Sequence, residues 1–212
     1  AMTPQRHRAI MAGGLVLGGL LLLRAPATTR QGVDYRLSTR TVPLSAKALE
    51  FWHRHTQYTL LARDITQALA VDEEKVMAVW EWTRTRIRPT PPGWPVVDDH
   101  ILHIIIRGHG LDDQMADVFT TLSTYAGVAA FWKDLKPFDD GPVLTLSFAR
   151  VGGVWAVFDV ANGLVFADAH GRLVDVETLV KDPALTEAIA VDLRPRGLPY
   201  SRYLALVQPF TV

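Results

Sequence analysis

The stretch from Arg107 to Trp132, RGHGLDDQMADVFTTLSTYAGVAAFW, constrains the fold most, because a glycine-rich turn, a buried helix and a strand follow one another directly in it. From Leu111 the apolar positions Met115, Val118, Phe119, Leu122 and Tyr125 recur at helical spacing, with Ala116 and Ala126 as small residues that let another element approach closely. Gly127 ends the expected helix, and Val128 to Trp132 is apolar enough for a strand.

Elements of the same two kinds flank this segment. Ser45 is the expected N-cap of a helix carrying Leu49, Phe51 and Trp52, and a second apolar series follows at Tyr58, Leu60, Leu61, Ile65 and Leu69. Asp72 with Lys75, then Val76, Val79, Trp80, Trp82, Thr83 and Ile87, makes a further amphipathic helix. Pro89, Pro91, Pro92 and Pro95 break it into an extended loop. Asp98 to Arg107 reads as a short helix with Gly108 after its end. Downstream, Val143 to Phe148 and Val154 to Phe158 flank the turn signal Arg150-Val151-Gly152-Gly153, and Leu164 to Ala167 and Leu173 to Val174 flank Asp168 to Gly171. Helices followed by an antiparallel sheet predict an α+β layer arrangement.

These segments resemble the core of the transglutaminase-like (papain-like) superfamily. That pattern runs Gly-x-Cys, polar residues, a small residue, a Leu- and Phe-containing helix, then Ala-Gly-(Ile/Val)-x-Ala. This chain has Gly110-Leu111-Asp112-Asp113-Gln114-Met115-Ala116 and Ala126-Gly127-Val128-Ala129-Ala130. Glu74 to Ile87 is similar to the family's preceding helix, and Gly153-Val154-Trp155-Ala156-Val157-Phe158-Asp159 to its Trp-to-Asp strand. The resemblance puts Asp112 at the nucleophile position and Asp159 at the acidic triad position. The histidine should fall near Val143 to Thr145, yet no His occurs from Gly110 to Ala169. A thiolate and an imidazole are what the family's acyl transfer requires, so the resemblance implies the fold with a degenerate, non-catalytic site.

Composition narrows the remaining classes. The chain has no cysteine, which excludes disulfides, cysteine-ligated zinc and a thiol nucleophile from this sequence. Its formal net charge is +0, so nothing electrostatic points to nucleic acid. His100, His103, His109 and Asp112, with Asp98, Asp99 and Asp113 nearby, are candidate metal ligands, although their spacing matches no strong motif and Asp112 or Asp113 also suits a helix cap. No cofactor is expected. Ser123 and Ser147 lie outside any nucleophile-elbow turn. Of the six tryptophans, Trp52, Trp80, Trp82, Trp132 and Trp155 read as core, and Trp94 in the proline loop reads as a partner-contact residue.

Arg6, His7 and Arg8 precede an apolar run from Ala9 to Leu23, closed by Arg24 and Pro26. Its length suits a signal-peptide core, and Ala25-Pro26-Ala27 resembles a cleavage site; continued to Ala27 it approaches the about 20 residues of a membrane span. The retained anchor is the preferred reading. Ala9, Gly13, Gly14 and Gly18 give a small-residue helix face for packing in a bilayer, and Arg6 and Arg8 orient the N-terminus to the cytoplasm. The expected organisation is residues 1–27 as cytoplasmic stub and anchor, 28–44 as linker with a short strand at Val33 to Leu37, and 45–212 as a periplasmic or otherwise exoplasmic domain. The expected role is a non-catalytic accessory subunit that braces a larger membrane complex through contacts with other membrane-protein subunits, respiratory and photosynthetic complexes being candidate hosts. The alternative is an exported hydrolase, or a peptide- or glycan-binding protein, using the old cleft.

Overall fold

A computed structural model describes residues 18–19, 21–139, 141–187 and 198–207. They form an α+β structure with antiparallel sheets and divide into two compact units: residues 1–56 with 97–99, and residues 57–96 with 100–212.

In the first unit, β1 (Pro26–Val33) pairs antiparallel with β2 (Arg36–Pro43) across a turn at Asp34 and Tyr35, both with positive φ. The stretch expected to be a linker is thus a hairpin, and the strand expected at Val33 to Leu37 falls on its turn. Thr28, Thr29 and Val33 on one arm and Thr39, Thr41 and Val42 on the other supply β propensity that the absence of a long apolar run concealed. α1 (Leu44–Thr66) follows without a break, so the first apolar series and the second as far as Ile65 lie on one helix, Leu69 falls beyond its end, and Ser45 sits inside it rather than capping it. Its residues up to Thr56 belong to the first unit. Trp52, expected in the core, is exposed.

The second unit contains α2 (Asp72–Arg86), whose first turn carries Asp72, Glu73 and Glu74 and whose last carries Arg84 and Arg86, charges that complement the helix dipole at both ends. β3 (Arg88–Pro89) leads into the proline loop. β4 (Val97–Asp98) pairs with β1 inside the first unit, where Asp98 forms strand, not helix. α3 (Ile101–Arg107) therefore begins later than Asp98; His100 precedes it and Gly108 closes it in the left-handed conformation. β5 (His109–Gly110) pairs parallel with β3 and leads into the central helix α4 (Asp112–Tyr125).

After α4 the chain makes a meander: β6 (Ala130–Leu135), β7 (Leu144–Val151), β8 (Val154–Asp159) and β9 (Leu164–Val165), all antiparallel. Gly152 and Gly153 turn the β7–β8 hairpin with φ of 58° and 88°, as the sequence signal requires. Short helices α5 (Val176–Lys181), α6 (Ala184–Glu187) and α7 (Tyr200–Leu204) complete the described chain.

The pleat of the sheet divides the interior in two. Ala149, Val151, Ala156 and Phe158 pack toward Val118, Phe119 and Leu122 of α4 and Val76, Val79 and Trp80 of α2. Leu144, Leu146, Phe148 and Val157 face a second cluster with Leu179, Tyr200, Tyr203 and Leu204. Asp112 and Asp159 stand at the ends of elements bordering these two cores.

No helix among the described residues is long and apolar enough to cross a membrane. Ala9, Gly13 and Gly14 lie outside the described residues. Gly18 is helical, and a Cβ built on it meets nothing within 4 Å.

Candidate functional site

The site begins with a tight turn. Arg107 donates from Nε to the His109 carbonyl at 3.0 Å and from a terminal guanidinium nitrogen to Gln114 Oε1 at 3.1 Å. The same Oε1 accepts the Leu111 N–H at 3.2 Å. Gly110 lies in the resulting crease, where an added Cβ would come within 2.9 Å of Gln114 Cβ. Only glycine fits that approach.

This clamp delivers the first turn of α4. Leu111, not a carboxylate, occupies the cap position; Asp112 is the first helical residue and is exposed. Asp113 accepts the Gln114 N–H at 2.9 Å, satisfying one of the donors that a helix start leaves unpaired. Burial pushes the Asp113 carboxyl above its usual range, and the charges of Asp134 and Asp112 add to that.

Across from the helix, Thr145 stands on the β7 face that carries Ser147, Ala149 and Val151. Its hydroxyl donates to Asp134 on β6 at 2.6 Å, and the two residues are direct register partners. Thr145 ends the window in which the resemblance expects histidine. A hydroxyl hydrogen-bonded to a carboxylate cannot relay a proton as an imidazole does. Nearby, Trp132 Nε1 donates to Asp117 at 2.6 Å, tying β6 to the middle of α4.

Asp159, the last residue of β8, is fully buried. One oxygen accepts the Asn162 N–H at 3.0 Å; the other accepts Asn162 Nδ2 at 2.8 Å and the Tyr200 hydroxyl at 2.6 Å. Burial raises its pKa, these hydrogen bonds oppose the rise, and the Asp112 charge adds to it. Burial and the adjacent carboxylate also push the Tyr200 phenol well above its ordinary range.

The candidate metal ligands do not converge. The His100 and His103 rings lie tilted to each other with centroids 6.0 Å apart; His109 instead faces Thr90 Oγ1 at 3.4 Å and the Trp94 ring at 5.2 Å. No group of three or more His, Asp or Glu side chains able to hold a metal ion occurs among the described residues. His109 lies on β5 after the left-handed turn at Gly108, whereas His103 lies on α3 and His100 precedes that helix, a separation that nearness in sequence did not reveal. Trp94 is exposed. Ser123 is buried inside α4, out of reach of any substrate.

Sequence reasoning missed Tyr200, Asn162, Asp134 and the Arg107–Gln114 clamp. Asn162 had a signal, an Asp-x-x-Asn turn after a strand. Tyr200 had none.

No protein-family model matches the sequence, and no curated protein matches it. Two solved structures are similar to it. One is a candidate cysteine protease from Cytophaga hutchinsonii, 18% identical, with a TM-score of 0.43 and coverage of 52% of this chain and 40% of that one. The other is a candidate protease from Parabacteroides distasonis, 14% identical, with a TM-score of 0.41 and coverage of 63% and 35%. The chain therefore spans less than half the length of either.

Proposed function

We propose that this chain is a non-catalytic accessory subunit of a membrane-bound assembly, held by its N-terminal apolar run and carrying a degenerate transglutaminase-like domain on the exoplasmic side. The observation that carries the non-catalytic part is the occupation of the three triad positions. Asp112 is a lone exposed carboxylate at a helix start, Thr145 is engaged by Asp134, and Asp159 holds Asn162 and Tyr200. A carboxylate attacking an acyl group without a positioned base would leave an anhydride and no route of turnover. On this reading Asp159, at the position of the family's triad carboxylate, serves as a structural junction.

The apolar run from Ala9 to Leu23, with Arg6 and Arg8 before it, supports the anchor and its direction. The test is gentle detergent extraction of the native membrane, size separation and mass spectrometry of what co-migrates. The reading expects co-migration with a large complex in fixed ratio, lost in Gly14→Leu or Gly18→Leu variants. Migration alone as a small species would end it.

A second reading draws on Trp94, exposed and edge-on to His109 one turn before Asp112. An exposed aromatic ring set against an imidazole suits contact with a peptide or glycan ligand. In that case Trp94→Ala abolishes ligand binding while assembly is unchanged.

A further inference from the structure

In the first unit an apolar face of α1 is exposed among the described residues. At 100° per residue, Leu44, Ala48, Leu49, Phe51, Trp52 and His55 share about 160° of α1, with Lys47, Glu50 and Arg54 on the opposite side. Leu49, Phe51 and Trp52 are 70%, 62% and 68% exposed. His55 stacks on Phe51 at 6.3 Å and lies 6.2 Å from the Trp52 ring, so the three rings form one surface. Covering such apolar surface is favourable, so a contiguous exposed ring patch points to a contact.

The position of this face in the chain identifies its occupant. β1 leaves the end of the apolar run and β2 returns alongside it, so Pro43 is the register partner of Pro26. The Leu44 N–H then donates to the Ala25 carbonyl at 2.8 Å, and Lys47 Nζ reaches the Thr28 carbonyl. The hairpin excursion therefore brings α1 back to where the run Ala9 to Leu23 stops. Leu21, Leu22 and Leu23 there are exposed too. Arg24 and Lys47 flank the junction, the cation placement that aromatic residues accompany at a bilayer surface. Trp52 is about 12 Å along the helix from Leu44.

We propose that the first turns of α1 lie in the headgroup zone of the bilayer, with Ala48, Leu49, Phe51, Trp52 and His55 facing the acyl chains. This contact makes the anchored end a two-point attachment, a span plus an in-plane amphipathic helix, and holds the first unit against the membrane. It rests on the anchor reading and deepens it.

The cysteine-free chain permits a direct test by depth-dependent quenching. Single labels are introduced as Leu22→Cys, Glu50→Cys and His55→Cys in the full chain, reconstituted in vesicles of phosphatidylcholine and phosphatidylglycerol containing nitroxide lipids. The expected result is deep quenching at position 22, and quenching at position 55 at least about twofold stronger than at position 50, at the depth of about 5–10 Å typical of interfacial helices. Phe51→Ser with Trp52→Ser should abolish the signal at 55 and leave that at 22. Quenching at 22 but equal, weak quenching at 50 and 55 overturns the inference and leaves the anchor standing. An unquenched label at 22 overturns both. Cross-linking of position 55 to a protein in native membranes, without quenching in vesicles, assigns the face to a protein partner and overturns the lipid contact.

Discussion

The Tyr200 hydroxyl donates to the buried carboxylate of Asp159 at 2.6 Å across 41 residues of chain, joining α7 to the end of β8. Hydrogen bonds to charged or partly charged groups contribute about 1.5–3 kcal/mol, more than a neutral pair. Tyr200→Phe keeps the ring in its cluster with Phe166, 5.3 Å away, and removes only the donor. It should lower unfolding stability by about 1.5–3 kcal/mol in urea titration. An unchanged midpoint would mean that Asn162 alone satisfies Asp159.

Asp159 and Asp113 both have pKa values raised above 3.8 in the folded protein, burial being the main cause. For each, the folded state holds its proton more tightly than the unfolded state. Their contribution is therefore most favourable below pH 3.8 and is lost as pH rises toward the folded pKa. Wild type should gain stability relative to Asp159→Asn as pH falls from neutrality into this window. Denaturation of both proteins at a series of pH values tests the sign, and a difference that shrinks toward acid would refute it.

At Gly110 even a methyl group meets Gln114 Cβ at 2.9 Å, Gln114 Oε1 at 3.1 Å and Ile104 Cγ2 at 3.3 Å. Gly110→Ala should cost about 1–3 kcal/mol through overpacking. Because Gln114 must move, protection of the Leu111 amide in hydrogen exchange should fall more than that of amides in β7 and β8. Uniform loss would argue against a local clamp.

The Ser123 and Ser147 hydroxyls are buried without a hydrogen-bond partner among the described residues. A buried hydroxyl left unpaired costs about 1–3 kcal/mol. Alanine at 123 removes that cost and favours the helix, against a small loss of packing. Ser123→Ala should therefore raise the melting temperature or leave it unchanged, and a clear drop would reveal a partner for the hydroxyl.

Much of the architecture was legible because it depends on local signals. Helical periodicity from Met115 to Tyr125, the Gly152-Gly153 turn and the order of helices before strands all survive in the structure. The errors have local causes too. The hairpin Pro26–Val33 with Arg36–Pro43 was hidden because its second arm is almost wholly exposed and the residues of its first arm that are not exposed, Ala27, Thr29 and Gly32, are small or polar, so no apolar alternation marks a half-buried strand. Trp52 was taken for core because periodicity identifies a helical face but not what, if anything, covers it.

The sequence by itself determined which residues could form helices and strands, and that this chain has no thiol for acyl transfer. The family resemblance read from it puts Asp112 and Asp159 at two triad positions as an expectation. Only the tertiary structure decided what those carboxylates do. Asp159 is enclosed by Tyr200 and Asn162, and Thr145 is engaged by Asp134, because hydrogen-bond partners in a folded chain are chosen by proximity in space. A carboxylate carries the same letter whether it faces water at the start of a helix or lies buried under a tyrosine, and desolvation gives the two different chemistry.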